Sequence, residues 1–255
     1  MNRILVLINQ YRSTSLGRKF ISGVVWSFLG SALSKFFVLL GGILSARILG
    51  KEAFGQFGMV KSTISMFVIL GSSGLGLTAT KYISEYREQL EQKVFRIYLL
   101  TSRAATILGL FLVFLMFFGA SFLAKDVLLS PKLKFPIQFG SVLLFFTIAN
   151  STQNGALVGL GKFRGIAINT FYGGLAEAIF MVLGAYWYGV VGAILGLGLG
   201  FVVVYALNFF SLRRGLELYR CNSNREALRM RDLRLLFTYT FPATLSSILV
   251  IPSFW

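Results

Sequence analysis

Long apolar runs, separated by short connectors that carry most of the charge, extend along nearly the whole chain. Each run holds about 20 residues, which lets a helix cross a hydrocarbon core of about 30 Å and is too long for a barrel strand. Because backbone groups in lipid must find their hydrogen bonds within their own segment, the pattern predicts membrane helices. The predicted spans are residues 19–45, 54–78, 104–124, 137–160, 166–187 and 190–212, with another beginning near residue 235.

The composition agrees with this pattern. The chain is 56% hydrophobic and only 13% charged, which is unusual for a soluble domain. The predicted fold class is therefore all-α, a polytopic membrane helix bundle with six transmembrane helices and the start of a seventh. The chain divides into an N-terminal arm at 1–18, a six-helix lobe at 19–212, a basic loop at 213–234 and the truncated start of a second lobe at 235–255.

The Lys and Arg residues lie mainly on one side of the predicted membrane. Of 25 basic residues, 18 fall in the N-terminal arm and in every second connector, five fall in the other connectors, and Lys35 and Lys61 lie within spans. Since cytoplasmic connectors hold the excess of positive charge, this predicts a multi-pass protein of the cell (inner) membrane with a cytoplasmic N-terminus. The net charge of +16 is then explained by separate short clusters, without a nucleic-acid partner.

Few residues could support catalysis or hold a metal. The chain has no His, its two Asp residues (Asp126 and Asp232) lie in connectors on opposite faces, and its one Cys (Cys221) cannot form a disulfide within the chain. These residues cannot build a paired-carboxylate or metal site. We therefore expect no enzyme activity, no metal and no cofactor.

Two lysines within the spans are candidates for a substrate cavity. Lys35 lies about 22 Å into the first span and Lys61 about 10 Å into the second from the other side, at 1.5 Å per residue, so both reach the outer half of the membrane. Facing a shared cavity, they would form a cationic surface that suits a diphosphate or an acidic sugar. Alternatively, each extends its ammonium group to the outer interface.

Glu177 is the one carboxylate deep in a predicted span, about midway along the fifth. An ionisable residue at this depth costs a few kcal/mol, so it is a candidate functional residue. It would suit proton or sodium coupling. A structural pairing with Lys35 or Lys61 is the alternative.

A polar run from Asn150 to Asn154 interrupts the fourth span. Amides hydrogen-bond sugar hydroxyls, so Asn150 and Asn154 are further cavity candidates, and hydrogen bonds between helices are the competing interpretation. Glycines recur at short spacing in three spans, where they allow close helix packing or, alternatively, bending.

Three motifs at the ends of the predicted spans point to a known family. They are ARILGKEAFGQFGMV (Ala46 to Val60), GLGLTATKYISEY (Gly74 to Tyr86) and ALVGLGKFRGIAIN (Ala156 to Asn169). Together, in this order and on these sides of the membrane, they resemble the polysaccharide-biosynthesis flippases, the oligosaccharide-lipid exporters often called Wzx-type. That family belongs to the same superfamily as the multidrug and toxin exporters.

The resemblance implies about twelve to fourteen helices in two similar lobes with a cavity between them. Such proteins move lipid-pyrophosphate-linked sugar repeats from the inner to the outer face of the cytoplasmic membrane. This chain would supply the N-terminal lobe only. Either it is a fragment of a longer gene product, or it pairs with a second lobe or as a homodimer.

The resemblance thus predicts a lipid-linked oligosaccharide flippase lobe that works by alternating access in polysaccharide or lipopolysaccharide assembly. Its partners would be membrane lipid and a lipid-pyrophosphate-linked oligosaccharide. A multidrug exporter of the same superfamily is one alternative, although cationic drugs would favour acidic cavity residues over lysines. A membrane scaffold for polysaccharide-assembly enzymes is another, although the short connectors offer little surface for it.

Overall fold

The computed structural model describes residues 15–87 and 91–220 together with the single residue Pro242. All regular secondary structure in these ranges is helical, as predicted. The four long helices are α1 (Ser15–Tyr86), α2 (Glu91–Phe122), α3 (Lys134–Gly159) and α4 (Phe163–Arg220). A π-helical turn, Leu123–Val127, and a 3-10 turn, Pro131–Leu133, join α2 to α3. The predicted arm before residue 15, the loop beyond residue 220 and the predicted seventh span apart from Pro242 lie outside these residues.

Two of the long helices are broken at glycine. In α1 the backbone leaves the helical region at Gly50 (φ 76°, ψ 172°), and in α4 it does so at Tyr188 and Gly189, whose φ is 60°. A positive φ is accessible to glycine without steric cost, which explains why these residues stand at the breaks. Both breaks fall in predicted connectors. We call residues 15–49 and 51–86 the first and second arms of α1, and residues 163–187 and 190–220 the first and second arms of α4.

The two arms of α4 run in opposite directions. Glycine contacts pair the arms at successive levels, and in each pair one residue number falls as the other rises. The pairs are Gly184 with Gly192, Phe180 with Gly196, Glu177 with Gly200, and Gly173 with Val204. The chain therefore folds back on itself at Tyr188 and Gly189.

The chain also reverses at Gly50. The first arm of α1 runs parallel to the first arm of α4, since Gly30 lies against Ala167 and Gly41 against Ala178. The second arm of α1 instead runs parallel to α3. The contacts there are Ile64 with Gly140, Gly76 with Ser151, and Ile83 with Gly159.

Contacts of α3 complete the arrangement. It runs parallel to the second arm of α4, with Leu143 against Gly198, and Phe145 lies against Gly109 of α2. The reversals at Gly50 and Gly189 therefore lie at one end of the bundle, with the turns between α2 and α3. We call this the reversal end, and we call the opposite end, where α1 and α4 terminate, the basic end. The basic residues of the described connectors divide between these ends in the grouping that the sequence predicted.

Four helical stretches are long and apolar enough to cross a membrane: Val25–Tyr86, Lys93–Val127, Pro131–Gly159 and Phe163–Glu217. Large apolar side chains cover much of the bundle exterior, among them Phe28, Phe111 and Phe118. Such a surface suits lipid. The chain is a multi-pass membrane protein.

Helices continue past the predicted span limits. α2 begins at Glu91, well before residue 104, and α4 continues to Arg220, beyond residue 212. A helix need not end at the membrane surface, because its backbone bonds are internal on both sides of that boundary. Hydrophobicity therefore located the apolar parts of these helices and not their ends.

Two apolar clusters form the core. The larger one, around Val60, Met116 and Ile148, fills the bundle from the reversal end to its middle. The smaller one, around Ile83 and Leu212, lies towards the basic end. The polar side chains of interest lie beside and between these clusters.

Candidate substrate and ion site

A pocket of about 200 Å³ lies between the second arm of α1, α3 and the second arm of α4. Most of its lining is aliphatic or phenylalanine side chains. The polar side chains in the lining are Lys61, Ser65 and Thr147, and of the described residues there Lys61 is the one that carries a charge. This mixture of an apolar wall and a few polar groups is typical of ligand sites.

The two hydroxyl groups in the pocket donate to their own helices. Ser65 Oγ donates to the carbonyl of Lys61 at 2.9 Å, and Thr147 Oγ1 donates to the carbonyl of Leu143 at 2.8 Å. Their free lone pairs can accept hydrogen bonds from a ligand. Lys61 has an exposed side chain, so an anion in this pocket would meet its ammonium group.

Lys35 lies elsewhere. Its side chain is exposed on the first arm of α1, beside Ser34, which is buried against Gly174. It does not line the pocket with Lys61. A shared cationic surface of the two lysines, or extension of each to the interface, stays a prediction.

Glu177 is half-buried on the first arm of α4, beside the glycine-rich second arm. A Cβ atom at Gly200 would approach its Cα to 2.6 Å, so the two arms touch at the backbone of this residue. Its carboxylate lies within electrostatic range of Lys61 on the second arm of α1. A role for this carboxylate and for the pocket lysine in transport stays a prediction.

Two buried amide oxygens lie close to the same level. Asn150 donates from Nδ2 to the carbonyl of Phe201 at 2.9 Å, next to Gly200, while its Oδ1 atom has no partner among the described residues. Gln153 Oε1 is also without a partner, and its side chain is only 4% exposed. Such buried oxygens are costly unless something bonds them.

The sequence prediction did not single out Gln153, although the polar run from Asn150 to Asn154 contains it. Ser65 and Thr147 were missed as well. The available signal for Ser65 was its position one helical turn from Lys61, which puts both on one face. Thr147 could have been noted as a hydroxyl one turn before the polar run.

Asn154 belongs to a different arrangement, a buried amide network near the basic end. Asn208 donates to Asn154 Oδ1 at 3.1 Å, and Asn169 donates to Asn208 Oδ1 at 2.9 Å and to Ser211 Oγ at 3.0 Å. These bonds join α3 to both arms of α4. The amide of Asn154 thus takes part in a hydrogen bond between helices, and its role in a substrate cavity stays a prediction.

We expect Asn208→Ala to destabilise the chain by about 1–2 kcal/mol, because Asn154 Oδ1 loses its donor and the buried amide of Asn169 keeps only Ser211 as a partner. Thermal unfolding in detergent measures this. Thr106→Ala is the control, since within the described ranges Thr106 Oγ1 bonds only the carbonyl of Ser102 in its own helix. Equal melting temperatures for the two variants would show that the network adds no stability.

The oxygens of Glu177, Asn150 and Gln153 are the type of ligand that hard cations such as Na⁺ accept. Groups of three or more His, Cys, Asp or Glu that could hold a metal do not occur among the residues the structure describes. Any cation bound here would therefore depend on one carboxylate and neutral oxygens.

Comparisons with known proteins agree with this architecture. The family described as polysaccharide biosynthesis protein matches residues 20–255. None of the curated proteins is significantly similar to the chain.

Several solved structures share the fold. One is the outward-facing conformation of a multidrug resistance MATE family transporter of the MOP superfamily, with a TM-score of 0.77 and 18% identity over 94% of this chain and 55% of that one. Another, a MOP superfamily transporter from Pyrococcus furiosus, has a TM-score of 0.73 at 18% identity, over 94% of this chain and 54% of that one. An inward-facing MATE family transporter of the MOP superfamily has a TM-score of 0.68 at 16% identity, over 89% of this chain and 55% of that one. The chain thus spans about half the length of these transporters.

Proposed function

Because the chain belongs to the polysaccharide biosynthesis protein family, we propose that it is the N-terminal lobe of a transporter that flips lipid-linked oligosaccharides across the cell membrane. The segments divided at Gly50 and Gly189 cross the membrane six times in this proposal, with the N-terminus and the basic end in the cytoplasm. A second lobe, or a second copy of this chain, completes the cavity. Transport proceeds by alternating access, as one lobe rocks against the other.

The observation that carries the proposal is the charge of the pocket. Its lining presents Lys61 among apolar side chains, which suits an anionic headgroup attached to a lipid. A pyrophosphate that links sugar to lipid supplies this charge. For the Pyrococcus furiosus transporter, reversed polarity of the binding pocket is taken to suggest a different function. We propose that the basic pocket here likewise separates an anionic cargo from cationic drugs.

Glu177 serves as the coupling residue in this proposal. It lies on the first arm of α4 against Gly200 of the second arm, and the oxygens of Asn150 and Gln153 that have no partner among the described residues are also buried in the lobe. Binding of a proton or Na⁺ at Glu177 would change the charge beside Lys61. Ion binding and cargo binding are then linked through one pair of side chains.

The proposal is tested in a strain that lacks its own flippase and accumulates unflipped lipid-linked sugar. The full chain is expressed together with a second lobe. We expect Lys61→Gln to reduce sugar export by about tenfold, because one charge-assisted contact with phosphate is lost.

Arg47→Gln serves as the control, since Arg47 is an exposed cation that does not line the pocket. Equal export by the Lys61→Gln and wild-type proteins would overturn the role of Lys61. Export of cationic dyes in place of lipid-linked sugar would instead identify a multidrug exporter. If the wild-type protein inserts well but unflipped lipid-linked sugar still accumulates, the result would favour a membrane scaffold.

A further inference from the structure

A second cleft lies at the basic end, and none of its lining residues lines the pocket with Lys61. It has a volume of about 340 Å³ and opens between the start of α2 and the end of α4. Phe95, Tyr98 and Leu99 form one wall, and Phe209, Leu212 and Leu216 form the other. The volume falls within the range of about 300–1,000 Å³ typical of small-molecule sites. The cleft plays no part in the proposed transport cycle.

Two opposite charges complete the lining of this cleft. Arg213 and Glu217, both exposed, stand one helical turn apart on α4. Four residues of helix separate their Cα atoms by about 6 Å along the axis. Arg213 lies next to the apolar part of the helix, and Glu217 lies nearer its end at Arg220. Along α4 towards Arg220, the cleft lining therefore runs through Phe209 and Leu212, then the cation of Arg213, then Leu216 and the anion of Glu217.

This order matches one class of lipid. In a phospholipid the acyl chains come first, the phosphate follows, and the headgroup amine lies furthest out. Apolar walls with basic residues between membrane helices are known to take lipid headgroups. Arg213 can bond the phosphate, and Glu217 can accept hydrogen bonds from a primary ammonium group. An anionic headgroup without an amine would meet repulsion from Glu217.

We propose that this cleft binds a phospholipid with a primary amine, phosphatidylethanolamine, from the adjacent leaflet. Its acyl chain lies against Phe95 and Phe209, its phosphate contacts Arg213, and its ammonium group contacts Glu217. The quaternary amine of phosphatidylcholine has no N–H group to donate, so it is bound more weakly. Phosphatidylglycerol lacks the amine altogether. The bound lipid fills the gap between α2 and α4.

The experiment measures lipid retention by native mass spectrometry. The purified full chain is stripped of lipid in detergent and mixed with equal amounts of phosphatidylethanolamine, phosphatidylcholine and phosphatidylglycerol. We expect the first to be retained about tenfold more than either of the others, the ratio that one charge-assisted hydrogen bond gives. Equal retention of all three lipids by the wild-type chain would overturn the proposal.

Variants separate the two headgroup contacts. Glu217→Gln should lower the retention of phosphatidylethanolamine to that of phosphatidylcholine. Glu217→Lys should make the chain retain phosphatidylglycerol best. Arg213→Gln should lower the retention of all three lipids, because each of them carries the phosphate. Arg214→Gln, which changes an adjacent exposed cation outside the cleft lining, should leave the ranking unchanged.

Gel filtration and circular dichroism confirm that each variant is folded before lipid is added. The wild-type ranking alone tests the proposal if a variant fails this check. A ranking that Glu217→Gln and Arg213→Gln both leave intact would show that the lipid binds elsewhere. A preference for phosphatidylglycerol in the wild-type chain would replace the aminophospholipid with a simple anionic lipid.

Discussion

Glu177→Gln is expected to abolish ion-driven transport while leaving membrane insertion intact. Glutamine keeps the size of the side chain and its packing against Gly200, but it can neither release a proton nor supply a negative charge to Na⁺. In vesicles that contain this chain with a second lobe, an imposed proton or sodium gradient should then drive no more cargo transfer than empty vesicles show. The yield of folded protein should equal that of the wild type.

Glu85→Gln is the matched control for this prediction. Glu85 is an exposed carboxylate on the second arm of α1, so its neutralisation changes the total charge equally without touching the lobe interior. Its transport should equal that of the wild type. Gradient-driven transfer that survives Glu177→Gln would assign Glu177 to structural pairing with Lys61 and place coupling elsewhere.

Gly155→Ala is expected to destabilise the folded chain by about 1–3 kcal/mol, the usual cost of overpacking. A Cβ atom at position 155 would collide with the backbone carbonyl of Gly76 and lie 2.9 Å from its Cα. Backbone cannot move aside as a flexible side chain can. In addition, Thr80 Oγ1 donates to the carbonyl of Gly155 at 3.0 Å, so separating the helices also stretches this bond. A lower melting temperature and a smaller monodisperse fraction in detergent would report the effect.

Gly58→Ala provides the control with the opposite sign. Gly58 is also helical, and a Cβ atom there would meet no atom within 4 Å. Alanine is the better helix former by up to about 1 kcal/mol, so this change should be neutral or stabilising. If both substitutions shifted the melting temperature in the same direction and by the same amount, helix propensity and not helix contact would control the response at Gly155.

The positions of the helices could be predicted from the sequence because apolar length is a strong signal. The same is true of the breaks at Gly50 and Gly189, which fall where polar or glycine residues interrupt the apolar runs. Alternation of the predicted spans also grouped the described connectors at two ends, as the structure has them. These features depend on neighbouring residues, so a single sequence contains them.

The neighbours of each helix could not be predicted in this way. Lipid is as apolar as the protein interior, so the lipid-facing and buried sides of a span carry similar residues and show no clear period. Nothing in the sequence therefore indicated that Asn150 bonds Phe201 or that Asn169 bonds Asn208, which lies 39 residues away. For the same reason both Lys35 and Lys61 were predicted as cavity residues, although of the two Lys61 alone lines the pocket.

The reversal at Tyr188 and Gly189 constrains how the protein is made. The second arm of α4 begins directly after these two residues, and its glycines already lie against the first arm at Gly184. The connecting segment of two residues is too short to let one arm lie in the bilayer while the other remains in water. We therefore expect residues 163–220 to leave the translocon as a single hairpin, because Gly192, Gly196 and Gly200 of the second arm pack against the first arm.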